Sequence, residues 1–423
     1  MYGYAGKLLR VNLTSQKLSA VSLEEQTAKD YIGGTCLGVK MLYEEVPPQA
    51  DWSDPVNLIC IASGPLGATR IPGSGTVSIV TKGALTNGAT AVQSNGFFGA
   101  FLRLSGYDGI VVQGASKRWV YLYIGRDKLE FKDAAHLLGM DTYETADMIK
   151  SETGEKDLTM SVLSIGPAGE NLVRFAGIFI DKGHAAAHNG TGAVMGSKRL
   201  KAIAVARGTK QIEVKDPEKL AVVANKMFER GKRFRGTLDG VYGGGRENLL
   251  KRATLPIRNY QTNIWDISDE QLSKYHEPYI RQAFKGQPHS CFACPATHCQ
   301  SMIITEGPYA GMEIEEPEYE QLAAWGPLID NKDMASAAML SSLCDRLGFD
   351  NNEAGWLFAW LMECYEKGYV TKEMLGGLEM RWGNVEAVRQ VMYMIAHRVG
   401  FGNILAEGVM RAAQKLGIEA AKS

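Results

Sequence analysis

Val214-Lys215-Asp216-Pro217-Glu218-Lys219-Leu220 divides the chain into two textures. Asp216 carries the short acceptor side chain of a helix N-cap and Pro217 the fixed φ of a first helical position, so a helix is predicted over 218–230. Upstream, as far as about Val205, apolar runs alternate with glycine turns and helices are few. Downstream, helical spacing takes over. The reading is α+β: a β-rich N-terminal domain of two twisted sheets over residues 1–210, then a mainly helical domain over 211–423.

Two hairpins stand out in the first part. Leu8 to Leu13, the turn Thr14-Ser15-Gln16, and Lys17 to Val21 form one; Trp119 to Ile124, the turn Gly125-Arg126-Asp127, and Lys128 to Phe131 form the other. Asn57 to Ala62, Val77 to Thr81 and Gly109 to Gln113 are apolar strands that run into or out of glycine. In the second part, helices are predicted over 320–328, 335–347, 353–367 and 385–399. The connection before them is read as a loop.

That loop holds Ser290-Cys291-Phe292-Ala293-Cys294-Pro295-Ala296-Thr297-His298-Cys299, three cysteines in C-x2-C-x4-C spacing with a proline after the second. Three thiols so close in sequence suit a soft-metal site. Short cysteine runs hold iron-sulfur clusters, whereas a structural zinc needs a fourth ligand, for which His298 or His289 is at hand. Reduced cysteines in a loop are the third reading. A disulfide is disfavoured in a reducing compartment. The other four cysteines, Cys36, Cys60, Cys344 and Cys364, stand singly, as buried thiols do.

Composition excludes several classes of function. The chain has 423 residues, enough for two to three domains at about 150 residues each. Its net charge of −1 supplies no basic field for nucleic acid. No apolar run reaches the roughly 18 residues of a spanning helix, and the first residues lack a signal-peptide order, so a cytoplasmic protein without a membrane span is expected. Glycine is the outlier, with 47 residues, of which those before position 210 gather in short motifs between β-rich runs.

Three glycine patches sit at strand ends. They are Ser63-Gly64-Pro65-Leu66-Gly67 with Pro72-Gly73-Ser74-Gly75; Gln93-Ser94-Asn95-Gly96-Phe97-Phe98-Gly99; and His188-Asn189-Gly190-Thr191-Gly192 running into Lys198. Glycine lets backbone amides approach a ligand, so such patches can cradle phosphate; they equally serve tight turns. Neither a Walker spacing nor a strand-linked G-x-G-x-x-G is present, which argues against a nucleotide loop.

Together these stretches resemble the aldehyde:ferredoxin oxidoreductase family of tungsten-pterin enzymes. The resemblance runs in order through Met1-Tyr2-Gly3, Arg10 to Leu13, Ala62 to Leu66, Gly99 to Asp108, Ser164 to Asn171, Gly192 to Lys198 and Asn259 to Thr262. It continues through the cysteine loop, Glu316 to Glu320, Asp345-Arg346-Leu347-Gly348-Phe349-Asp350, and Phe401 to Gly408. It implies a β-rich base for a tungsten (or molybdenum) bis-pterin of the molybdopterin type, with Mg between the pterin phosphates. Glycine-patch residues Gln93, Ser94, Asn95, Gly96, Asn189, Gly190 and Gly192, with Arg70, would contact it. Asp345, Gly348 and Asp350 would bind it from the helical domain. Cys291, Cys294 and Cys299 would hold a 4Fe-4S cluster, and Glu320 would handle protons during aldehyde oxidation. Electrons would pass to ferredoxin or an iron-sulfur partner subunit, in a homo- or hetero-oligomer. The alternative is a non-catalytic iron-sulfur or assembly subunit that kept the fold and lost the metal-pterin.

The sequence departs from the family at four places. A third domain, with its second aspartate motif, fourth cluster cysteine and a histidine near the metal, is expected to be absent. The cysteine loop has one residue more than usual between Cys294 and Cys299, so His298 or Cys344 is considered as a fourth ligand. Thr76 and Ala187-His188-Asn189-Gly190 stand where members place arginines toward the phosphates. Met339 and Ser342 replace a Glu-x-x-His pair, so no subunit-bridging iron is expected.

Overall fold

A computed structural model describes residues 1–233, 255–275, 277–297, 299–305 and 307–418. The chain divides into two compact units: Met1–Lys232 with Cys291–Pro295, and Arg233–Ser290 with Ala296–Ser423. The first unit therefore reaches past the composition change at 210 and includes the helix that Pro217 opens.

The first unit is built on two six-stranded mixed sheets. The first sheet uses β1 (Lys7–Asn12), β2 (Lys17–Ser22), β3 (Ile59–Ala62), β4 (Val77–Lys82), β5 (Ala89–Ser94) and β6 (Gly109–Gln113), in the order β2-β1-β6-β3-β4-β5. The predicted hairpin is there, with Lys7 opposite Ser22 and Asn12 opposite Lys17. Three helices accompany the sheet: α1 (Glu25–Tyr31), α2 (Gly34–Glu45) and α3 (Phe98–Leu104). Side chains alternate faces along a strand. Leu8, Cys60, Ala62, Val80 and Val111 accordingly join Leu37, Met41 and Leu42 of α2 in one buried core, while Leu9, Ile61, Ile79 and Ile110 are buried on the other face.

The second sheet contains β7 (Val120–Ile124), β8 (Leu129–Asp133), β9 (Met160–Ser164), β10 (Ile178–Ile180), β11 (His184–Ala186) and β12 (Leu200–Ala206), in the order β11-β10-β9-β12-β7-β8. Its helices are α4 (Thr142–Thr153), α5 (Pro167–Glu170) and α6 (Thr191–Ser197). Asp141 caps α4 in a reciprocal box with Glu144, and the apolar face of α4 packs Ala146 and Ile149 onto Met160, Val162 and Ala204. The parallel pairing of β12 with β7 breaks register at Lys201. That residue is buried, and its ammonium lies 2.8 Å from Ile165 O and 3.0 Å from Met140 O, paired with Glu170. α3 leaves the first sheet to pack on β9 and β12 of the second, and β5 lies beside β11. The Ser94 hydroxyl donates to His184 O at 3.1 Å. Helix α7 (Pro217–Lys232) follows.

The second unit is helical with one small sheet. Its elements are α8 (Asp269–Lys274), α9 (Glu277–Ala283), β13 (Lys285–His289), β14 (Cys299–Ile303), β15 (Glu313–Glu315), α10 (Tyr319–Trp325), α11 (Met334–Leu347), α12 (Asn351–Glu366), α13 (Val385–Ala396), α14 (Gly402–Leu405) and α15 (Val409–Leu416). The sheet is a correction: where a plain loop is expected, β13 and β14 pair antiparallel with His289 opposite Cys299. The cysteine run is thus the connection of a hairpin, and Pro288 sits on edge strand β13, where a missing N–H is tolerated. The predicted helix over 320–328 stops at Gly326 and resumes as a 3-10 turn over Pro327–Ile329. Trp325 is fully buried against Phe358 at 5.7 Å between ring centres. No helix among the described residues is long and apolar enough to cross a membrane.

Candidate functional site

In the first unit, two of the three glycine patches come together beside the Cys291–Cys294 turn. The loop ahead of β4 is held by its own hydroxyls: Thr69 Oγ1 donates to Leu66 O at 2.6 Å and Ser74 Oγ to Thr69 O at 2.9 Å. It meets the end of β5 where the Thr76 hydroxyl donates to Asn95 Oδ1 at 2.9 Å. A Cβ on Gly75 would sit 2.1 Å from Gly96 O, so only glycine permits this approach. Phe292 N then donates to the same Gly96 O at 3.1 Å, and the Phe292 ring stands edge-on to Phe97. The backbone closes tightly between the two thiols, with Cys294 N on Cys291 O at 3.1 Å and Ala293 at a φ of 56°.

On the same loops, Gly64 and Gly73 face open space, and Arg70, Gln93 and Asn95 are exposed. Arg70 makes no hydrogen bond or ion pair among the described residues. An exposed cation beside uncovered glycine backbone is what an anionic group requires. Ser94, by contrast, is buried and committed to His184 O.

The sequence reading misses two residues here. Asp181 lies in the left-handed turn Asp181-Lys182-Gly183 between β10 and β11. Its Oδ2 accepts from Phe97 N at 3.1 Å and Ser161 Oγ at 2.6 Å, and its Oδ1 from Val162 N at 3.1 Å, which fixes the Gly96–Phe97 turn to the second sheet. His184 follows, with Nε2 3.8 Å from Cys291 Sγ. The available signal was an apolar run ending in Asp-Lys-Gly, a hairpin turn.

The third patch is not brought to this place. Gly83–Gly88 closes the far end of the β4–β5 hairpin, six residues or about 20 Å from Thr76 and Asn95. Asn189 is bound there, its Oδ1 accepting from Thr86 N at 2.9 Å and Thr86 Oγ1 at 3.0 Å. A Cβ on Gly190 would meet Arg174 O at 2.1 Å, on Gly192 Gly177 O at 2.2 Å, and on Gly196 Gly169 O at 1.9 Å. These glycines serve backbone packing. Lys198 at the end of the motif is buried on the carbonyls of Asn57 (2.6 Å), Gly114 and Pro55, and burial pushes its pKa down to about 8.

In the second unit, Cys299 begins β14, buried, with Sγ 3.8 Å from Glu318 Oε1. His298 lies outside the described residues. Cys344, the other considered ligand, is buried, and burial followed by the neighbouring Asp345 and Asp350 raises its thiol pKa, opposing the thiolate a metal needs. No disulfide joins the cysteines. Glu320 is exposed on the first turn of α10, while Glu316 is buried in a two-pronged pair with Arg281 at 2.8 and 2.9 Å.

The Asp345–Asp350 motif is a helix-to-helix corner. Gly348, at a φ of 86°, ends α11 in the left-handed conformation, and the Asp350 side chain caps α12 through Asn352 N at 3.0 Å. Asp345 is buried, accepting from Asn351 Nδ2 at 2.7 Å and Gln321 Nε2 at 3.4 Å. Burial first, and Glu315 second, hold its pKa well above the usual carboxylate range.

Residues 8–207 match the family model "Aldehyde ferredoxin oxidoreductase, N-terminal domain", and residues 241–423 match "Aldehyde ferredoxin oxidoreductase, domains 2 & 3". The chain belongs to the aldehyde ferredoxin oxidoreductase family. It is 38% identical to the tungsten-containing aldehyde ferredoxin oxidoreductase of Pyrococcus furiosus over 99% of its own length and 68% of that relative's. It is 35% identical to the same organism's aliphatic sulfonate oxidoreductase, WOR-like subunit, over 98% and 68%. Among solved structures it resembles the active-site complex BamBC of benzoyl coenzyme A reductase with 1,5-dienoyl-CoA, at a TM-score of 0.88 and 28% identity. That match covers the whole chain and 64% of the other, so this chain spans under two thirds of that relative's length.

Proposed function

We propose that the chain is the tungsten (or molybdenum) bis-pterin subunit of an oxidoreductase that interconverts aldehydes and carboxylic acids. The observation that carries this is the convergence, in the first unit, of the Cys291–Cys294 turn with two glycine loops that present Arg70, Gln93 and Asn95. The donor set fits the cofactors. Thiols in short spacing suit an iron-sulfur cluster, and exposed cationic and amide groups suit a pterin phosphate with its Mg. When bound, the metal-pterin would supply two-electron chemistry and a 4Fe-4S cluster a one-electron path to ferredoxin or a partner subunit.

The chain's own residues would bind, orient and move protons. Cys291, Cys294 and Cys299 would hold the cluster. Arg70 would neutralise phosphate charge, and Gly64 and Gly73 would let it approach the backbone. Asp345, with two amide donors already on it, would accept a ring N–H, and Asp350 and Gly348 would fix the corner that presents it. Oxidation of RCHO with water releases RCOO⁻, three protons and two electrons. Glu320, exposed at the start of α10, would take up one of those protons.

Metal analysis of the purified chain tests this reading. Tungsten or molybdenum near one per chain, with about four irons, is the expected result. Iron without either metal would leave the non-catalytic iron-sulfur reading, and zinc without visible cluster absorbance would leave a zinc-stabilised module.

A further inference from the structure

We propose that His184 is a positioning residue for the cluster that Cys291 would hold, its Nε2–H donating to the Cys291 sulfur and setting the cluster's reduction potential. This rests on the cluster reading above and adds a residue that neither the cysteine spacing nor the glycine motifs mark.

The geometry is local to the first unit. Nε2 lies 3.8 Å from Cys291 Sγ, within reach of an N–H···S contact. Two constraints place the ring there. The backbone of His184 is held on β11, opposite Ile180 in the turn with β10, and its carbonyl accepts from the Ser94 hydroxyl at 3.1 Å. The ring itself lies over Gly96, where a Cβ would come within 2.9 Å of Cδ2, so the glycine leaves room for imidazole. Gly96 in turn holds the cysteine turn through Phe292 N. One turn therefore fixes both the donor and the sulfur.

The consequence is electrostatic. Reduction adds negative charge that is shared with the thiolate sulfurs, and a hydrogen bond to one of them stabilises the reduced form more than the oxidised form. Removing the donor makes the cluster harder to reduce. A neutral imidazole is sufficient for this, because its Nε2–H tautomer donates.

The test compares full chains reconstituted anaerobically with iron and sulfide, by iron content and by midpoint potential from an EPR-monitored redox titration. His184→Leu and His184→Ala should keep wild-type iron and become harder to reduce by about tenfold in the equilibrium constant, or 59 mV for a one-electron couple. His184→Gln, which restores an N–H, should recover part of that shift. A wild-type potential at full iron in either apolar variant would overturn the role. Loss of iron in all three variants would also overturn it, making His184 a ligand. Absence of iron from the wild-type chain under the same treatment would remove the cluster reading itself, and this inference with it.

Discussion

Asp345 shows how far a residue's environment can differ from its sequence appearance. In Asp345-Arg346-Leu347-Gly348 it resembles a solvated helix end, yet it is buried, with its pKa raised chiefly by that burial. A carboxyl whose folded pKa exceeds its unfolded value of about 3.9 stabilises the fold below that value, and this contribution is lost as pH rises through the folded pKa. Asp345→Asn removes the titration. In the metal-free chain, the wild type should lose stability relative to the variant from about pH 4 upward, by about 1.4 kcal/mol for each unit of the raised pKa. Thermal midpoints across pH measure this, and parallel curves for the two proteins would show that Asp345 is not the titrating group. At Glu320 the expected effect is on turnover: Glu320→Gln should keep the metals and lose at least about a hundredfold in rate, the lower side of what a positioned proton carrier contributes. Full turnover in that variant would assign the proton to another group.

At the scale of elements, glycines that look alike in sequence divide by what surrounds them. Gly64 has open space where its Cβ would be, whereas the Cβ of Gly192 would collide with the Gly177 carbonyl as α6 packs beside β10. Gly64→Ala should therefore leave the thermal midpoint within the range of an ordinary surface change, about 0.5 kcal/mol, while weakening a ligand held on the loop. Gly192→Ala should cost about 1–3 kcal/mol, as overpacking does. Equal loss in both variants would refute the division between cradle and packing. This also marks how much of the site was legible. The strands and both hairpins follow from alternation and turn residues, and the helices after Pro217 from spacing and caps. The Cys-x2-Cys turn follows from sequence too. Which glycine patch joins it does not, because patches with similar composition lie at opposite ends of the β4–β5 hairpin. His184 was invisible for a related reason: its proximity to Cys291 depends on β11 lying beside β5, a contact between sheets that neither strand's own sequence encodes.

For the molecule as a whole, the same logic applies to the composition change at 210. It marks where β structure gives way to helix, but the first unit continues to Lys232 and takes in Cys291–Pro295, because compactness follows packing rather than composition. Burial of apolar side chains then bears on assembly. In the second unit Trp356, Tyr393 and Met410 are 45%, 41% and 57% exposed on helices that bury other side chains, and Val399, 59% exposed, lies in the connection after α13. Scattered apolar exposure is ordinary, but four large side chains exposed on one unit are candidates for cover by another chain. An aromatic such as Trp356 contributes more to an interface than its area alone, since such residues dominate binding where water is excluded. The purified chain should therefore associate, giving by light scattering at least twice the mass of one chain at micromolar concentration. Trp356→Glu and Met410→Glu together place charge in that apolar surface and should lower the measured mass while leaving iron content unchanged. A monodisperse wild-type monomer across that concentration range would show that these side chains are tolerated in water and do not form a self-association surface.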